Sequence, residues 1–395
     1  MKEQNGKKPR TLKIIIILAA VILLAVLGVL AYQFFNNPHL TVPGKFRTIQ
    51  AAIDAASDGD VIVVEPGVYY EQIDFLGKNI TLQSSNPDDP EIVAATVIDG
   101  RRRGSVVTFQ NGEGSGAILK GFTITYGAGT RLTFDVEYEG EVLANDGLYG
   151  GGILIAGGSS PTIEKNVIRN NNADLDGGGI AILDGSNPQI KENTVEDNAS
   201  YNGGGISIWS SNPIIENNTL RNNQAENFGA GIAVDYLSSP GISNNTFRDN
   251  AATSGGAISV WYSDPLISGN TMHNNSAIWY GGGIAFFDGE PMIEGNDIAR
   301  NSAINNGGAI SMAEASAPTI SNNTISRNYS NEYGGGIVVA EGSEPVISGN
   351  TIADNVTHFG GGGIFVNQSS PVIDGNIITN NLVELDGGGI AIMVE

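Results

Sequence analysis

Aromatic rings and carboxylates recur at two adjacent positions of this chain, 26 or 27 residues apart. One position holds Leu183, Trp209, Asp235, Trp261, Phe287, Ala313, Ala340 and Asn367; the next holds Asp184, Ser210, Tyr236, Tyr262, Asp288, Glu314, Glu341 and Gln368. Flat rings stack on sugar faces and carboxylates accept from sugar hydroxyls, so Trp209, Tyr236, Trp261, Tyr262, Phe287 and Glu314 form a candidate glycan-binding set. Large apolar groups on a surface need a reason. The alternative is that the rings pack at a turn and the acids are merely solvated. Cleaving a glycosidic bond would need a positioned acid and base. Asp235 and Asp288 lie two periods apart, roughly 10 Å if the periods stack at strand spacing, near the upper limit for an inverting pair.

These columns exist only if the repeat stacks. From about Tyr149 onward the chain reads G-G-[GA]-I-x-[IV], then Pro-x-Ile, then Asn-x-apolar-x-x-Asn, over and over. The isoleucine after the glycines is Ile153, Ile180, Ile206, Ile232, Ile258, Ile284, Ile310, Ile337, Ile364 and Ile390. A fixed period of this length means a stacked array in which each unit completes its neighbour's core. Each unit holds three short apolar segments bounded by Gly, Pro, Asn or Ser, too broken for helix. Ile206-Ser207-Ile208-Trp209 alternates as a half-buried strand does. Three short strands per 26–27-residue coil predict an all-β parallel β-helix, ten regular coils making a rod of roughly 50 Å. Two asparagine columns, Asn166 through Asn376 and Asn171 through Asn381, are expected to hydrogen-bond from coil to coil. Asn198 and Asn355 also fit the glycosylation sequon, and the ladder explains them without sugar.

Those repeats, with the front segment Thr48-Ile-Gln-Ala-Ala-Ile-Asp-Ala-Ala-Ser-Asp-Gly-Asp, resemble the right-handed parallel β-helix (pectin-lyase-like) superfamily of pectate lyases, polygalacturonases and pectin methylesterases. Within it, the chain is most similar to generic β-helix-repeat surface proteins. The resemblance covers residues 46–395 and implies a polysaccharide groove on the same outward strip. It also implies Asp264 as the third acid, with Asp235 and Asp288, of a polygalacturonase-like cluster. The front segment is read physically as a short capping helix, because Ile49, Ala52, Ile53 and Ala56 share one helical face. The superfamily's Gly-His-Gly, Arg-x-Pro-x-x-Arg, Asp-Phe-Ile-Phe-Gly and Gly-Arg-Pro-Trp signatures are absent from the sequence. Fold resemblance without such signatures is a poor guide to activity.

The domain reading follows. Residues 1–13 form a basic cytoplasmic tail and residues 14–35 a transmembrane signal anchor built on an 18-residue apolar run that is long enough to cross a bilayer. Residues 36–45 are a tether and residues 46–395 the β-helix. The last divides into the cap and first coils (46–125), an acidic insertion (126–148) and the regular repeats (149–395). Lys2, Lys7, Lys8, Arg10 and Lys13 precede the apolar run, which places the β-helix outside the cytoplasm. A cleaved signal peptide ending near Ala31 is the alternative, leaving a secreted protein. The chain stops on a strand, and from that alone a longer protein is expected.

The protein has no Cys, 20 Lys and Arg, and 42 Asp and Glu. Setting aside five basic residues and Glu3 of the leader leaves 15 against 41, a formal charge of −26. Nucleic acid is excluded as a partner by that balance. Ca²⁺ is the cation such a surface would take, although no compact Asp-x-Asp-x-Asp loop accompanies it. His39, His273 and His358 are scattered and make no metal triad. A lyase is disfavoured because the strip carries no Lys or Arg to neutralise a uronate. Three functions remain: a membrane-anchored protein that binds polysaccharide or envelope glycan without catalysis, a polysaccharide hydrolase, and a structural rod or adhesin. The missing signatures favour the first and third.

Overall fold

The computed structural model describes residues 23–25, 40–138 and 141–393, with the side chains of residues 134–144 left out. The chain divides into two compact units, Met1–His39 and Leu40–Glu395. In the first, residues 23–25 are helical; the rest of the expected membrane span lies outside the described residues. Among the described residues no helix is long and apolar enough to cross a membrane.

The second unit is an all-β right-handed parallel β-helix. Its first sheet follows the glycines and contains Ile206–Trp209, Ile232–Asp235, Ile258–Trp261, Ile284–Phe287 and Ile310–Ala313 among its strands. The second sheet follows the repeat proline (Ile214–Glu216, Gly241–Ser243), and the third carries the Thr-led segments (Thr219–Arg221, Thr246–Arg248). The second sheet is thirteen strands deep, so the rod rises roughly 58 Å at about 4.8 Å per strand. The expectation of three strands per coil is corrected to four in the repeats from Ala199–Ser200 to Leu382–Val383. There, two to five residues after the second asparagine pair into a fourth, eight-stranded sheet. Segments such as Ala199-Ser200 and Gln224-Ala225 are too short and too polar to announce themselves as strands, and only the stacked neighbour supplies their partners.

The register makes like sit on like. Ile206 pairs with Ile232, Ile232 with Ile258, and Ile258 with Ile284. These side chains are fully buried, each worth about 1.5–3 kcal/mol relative to exposure. Corners are made by residues in the left-handed region: Asn217 (φ 57°) and Asn222 (φ 54°) immediately precede the ladder residues Asn218 and Asn223. The ladder asparagine ties each corner to the next coil. Asn218 Nδ2 donates to Ile190 O (2.8 Å) and to Asn245 Oδ1 (3.0 Å), while its backbone N–H donates to the same oxygen (2.9 Å). Both columns repeat this arrangement, and Asn198 and Asn355 are buried within theirs.

The glycine run has a separate steric cause. Gly203 has φ +60°, and a Cβ on Gly204 would meet Gln224 O at 2.3 Å, so no side chain fits between coils there. At the front, helix α1 (Ile49–Ala55) buries Ile49, Ala52 and Ile53 on the rod end, as its periodicity predicts. Glu71 accepts from the backbone N–H groups of Ile49 and Gln50, at 3.0 Å each, where the helix dipole favours a negative charge. A second short helix, α2 (Pro90–Ala95), was not evident from the sequence. The acidic insertion is a long antiparallel hairpin, Thr130–Tyr138 with Glu141–Tyr149, across which Arg131 and Asp146 form an ion pair.

Candidate functional site

The two candidate columns lie where the first sheet ends. Trp209, Asp235, Trp261, Phe287 and Ala313 are in register at the last position of successive strands. The next residue in each coil turns the corner in the left-handed region. Ser210, Tyr236, Tyr262, Asp288, Glu314, Glu341 and Gln368 have φ between 45° and 58°. Bulky residues seldom adopt this conformation, which costs of order 1–3 kcal/mol each. The corner aims Tyr236 back along Trp209 (centroids 5.2 Å apart, planes 12° apart) and Tyr262 along Trp261 (6.1 Å, 16°).

The outward side of the first sheet is not open, as simple alternation predicted. Ala181, Ser207, Ala233, Ser259, Ala285 and Ser311 face away from the core and are nevertheless buried. Their roof comes partly from a column the sequence reading missed, the residue just before the glycines. Tyr149, Asp176 and Asn202 align there, as do Tyr280, Asn306, Tyr333, Gly360 and Asp386; Phe228 holds the same place in its coil. Phe228 meets Trp261 edge-on at 4.7 Å, and Tyr280 meets Phe287 at 5.8 Å. Phe287 is therefore 7 % exposed, a correction to its expected place on an exposed strip. Trp209, Tyr236, Trp261 and Tyr262 are half-buried. The Trp261 indole N–H finds no acceptor among the described residues.

Beyond this block the face opens. Ala313 and Ala340 occupy the column that Trp261 and Phe287 fill earlier, leaving a cleft of about 280 Å³. Tyr280, Tyr333 and Phe365 line it, with Ser311, Asn306, Asn367 and Glu341 supplying polar groups. Tyr333 stacks on Phe365 at 4.4 Å, which fixes that wall. Glu314, exposed beside it, has its carboxyl raised by partial desolvation and by repulsion from Glu341 and Asp288. Desolvation, then Glu341, Glu332 and Glu314, raise the Tyr280 phenol.

At the opposite end of the face lies an acid pair. Asp235 stands between Trp209 and Trp261 in its column, and desolvation, with repulsion from Asp176, pushes its carboxyl up to about 7. The backbone N–H of Tyr236 offsets this in part. Asp176, almost fully buried, is pushed up to about 6 by desolvation, against a hydrogen bond from Asn202 Nδ2 (3.0 Å). Leu132, at the base of the hairpin, packs against the buried cluster of Tyr149, Leu154, Ala156, Ala181 and Leu183, as Trp209 does. Asp288 lies at a corner one column over from Asp235. Asp264 is exposed three residues past its strand, where Oδ1 accepts from the Glu290 backbone N–H (2.6 Å) in the loop that follows Asp288. No group of three or more His, Asp or Glu able to hold a metal occurs among the described residues.

A larger open groove of about 1100 Å³ follows the fourth sheet, lined by Ala225, Ala252, Ala277, Ile278, Ile304 and Tyr329 among others. Its lining spreads alanines and polar groups along several coils, whereas the smaller cleft gathers Tyr280, Tyr333, Phe365, two amides and the Glu341 carboxylate in one place. Specific sites look like the latter.

No curated protein sequence matches the chain. Among solved structures, the chain resembles the catalytic domain of Agl-KA (TM-score 0.42, 14% identity, 90% of this chain and 69% of that one). It also resembles PfbA, a surface adhesin of Streptococcus pneumoniae (0.41, 16%, 87% and 89%), and a family 28 exopolygalacturonase of Yersinia enterocolitica (0.39, 12%, 88% and 75%). At this identity the likeness is one of fold. The family described as the right handed beta helix region matches residues 97–276 and 256–395, most of the chain, and this protein belongs to it.

Proposed function

We propose that the protein is a membrane-anchored, extracytoplasmic β-helix that binds polysaccharide or cell-envelope glycan along the outward face of its first sheet, without catalysis. The observation that carries this reading is the cleft at Ala313 and Ala340, where two tyrosines and Phe365 converge with Asn306, Asn367 and Glu341. Half-buried Trp209–Tyr236 and Trp261–Tyr262 extend the same face towards the hairpin. The apolar run of residues 14–31 and the basic residues before it support the anchor and the placement outside the cytoplasm. The test is glycan-array binding by the full chain. Ala340→Phe, which fills the cleft, is expected to abolish binding with an unchanged Tm, and Trp209→Ala/Trp261→Ala to weaken it. Binding that survives Ala340→Phe in full would refute the assignment.

The acid pair favours a second reading, hydrolysis. A general acid must carry a proton near neutral pH, and desolvation with repulsion from Asp176 pushes the Asp235 carboxyl up to about 7. Asp288, one corner away, or Asp176 would then act as the base, with Asp264 as the third acid beside the loop that follows Asp288. Reducing-end release from a polysaccharide, lost in Asp235→Asn, would establish this reading; no release across a broad panel would remove it.

A further inference from the structure

Resting on the glycan reading above, we propose that the cleft between Tyr280, Tyr333 and Phe365 is selective for a sugar ring that carries a free amine, held as an ammonium between the rings and Glu341. The argument starts from charge. Glu341 is the charged residue in the lining, and no Lys or Arg joins it. From residue 276 to residue 393 the chain has two such cations, Arg300 and Arg327. Both sit at left-handed corners just before the second asparagine ladder, between the third and fourth sheets. His358 is occupied elsewhere, hydrogen-bonded to Asn331 and facing Glu384 at 3.4 Å. Glu314, Glu332 and Asp288 add to the same field, since each raises the Tyr280 phenol or the Glu314 carboxyl. The cleft is thus a concave site with uncompensated negative charge.

Its walls decide which cation fits. A hard metal ion wants six to eight oxygens at close range, and ring faces offer none. An organic ammonium is suited to both parts: it is drawn to the faces of aromatic rings and to a carboxylate at once. A uronate would be repelled by the same field, and a neutral ring would stack without relieving the repulsion among the acids. The amides of Asn306 and Asn367 and the Ser311 hydroxyl remain to meet ring hydroxyls. The ammonium therefore sets the preference, and the ring body is what fills the volume.

The experiment compares two probes of equal length on the full chain: glucosamine oligomers with free amines and their N-acetylated counterparts, by calorimetry in mildly acidic, low-salt buffer. The free-amine series is expected to bind about tenfold more tightly, and the preference to shrink with salt. Glu341→Gln should remove most of that preference, read as the ratio of the two affinities in the same variant. Equal affinity for the two series, or a preference untouched by Glu341→Gln, overturns the inference; if that binding is still lost in Ala340→Phe, the glycan reading stands without it. A lysine oligopeptide that outcompetes the amino-glycan also overturns it. If neither series nor any other glycan binds, the glycan reading itself falls.

Discussion

Asp176→Asn should stabilise this protein at alkaline pH and leave it nearly unchanged in acid. The carboxyl is buried among Tyr149, Asn202 and the roof of the first sheet, and is pushed up from 3.8 to about 6. Between those values the folded chain holds a proton that the unfolded chain has released. Stability from this group is therefore fully present below about pH 4 and is lost as pH rises through about 6. A shift of roughly two units corresponds to about 3 kcal/mol. Asparagine keeps the shape, still accepts from Asn202 Nδ2 through its own oxygen, and carries no charge to desolvate. The variant should thus gain about 2–3 kcal/mol over the parent at pH 8 and about zero at pH 4. Asp235, whose carboxyl Asp176 helps to raise, should titrate lower in the variant. A stacked array need not unfold in one step. The assay is therefore Tm across pH 4–8, together with hydrogen exchange over the coils between Tyr149 and Asp235. Parallel Tm profiles for parent and variant, or a variant less stable at pH 8, would show that the carboxyl is not desolvated as described.

Three further tests address the ladder, the core and a buried acid. Asn245→Ala removes the acceptor of Asn218 N and Nδ2 and the donor to Ile215 O and Asn270 Oδ1; the expected cost is about 3–5 kcal/mol, read as lost exchange protection in the two adjoining coils. Ile258→Ala should cost about 2–5 kcal/mol by opening a cavity in the stack, whereas Ile278→Ala, 49% exposed, should stay within about 0.5 kcal/mol by chemical denaturation. Glu113 is fully buried and accepts from Gly77 N (2.8 Å), Asn111 N (3.0 Å) and Ser159 Oγ (2.8 Å). Glu113→Ala orphans all three donors and should cost about 3 kcal/mol or more, seen as a lowered Tm.

Much of the rod was legible before any coordinates. The isoleucine and asparagine columns follow from a fixed period, because stacking at strand spacing places position n over position n of the next coil whatever else the chain does. The capping helix was legible for a similar reason, since four apolar residues on one face need a surface to cover. The fourth sheet was not, because its short strands, most of them two residues long, have no pattern of their own and exist only as partners of the coil above and below. Trp209, Tyr236, Trp261 and Tyr262 were found from their columns, but their half-burial was hidden, as was the burial of Phe287.

What only the tertiary structure decided is how unlike columns meet across the outer face. Phe228 touches Trp261, Tyr280 touches Phe287 and Tyr333 stacks on Phe365. These contacts depend on the angle at which each coil leaves the sheet through its left-handed corner. Asp176 and Asp235, 59 residues apart in number, repel one another for the same reason. Periodicity relates a residue to its own copies one coil away. The cleft and the acid pair join positions of different phase, and no repeat length encodes the lateral path that brings them together.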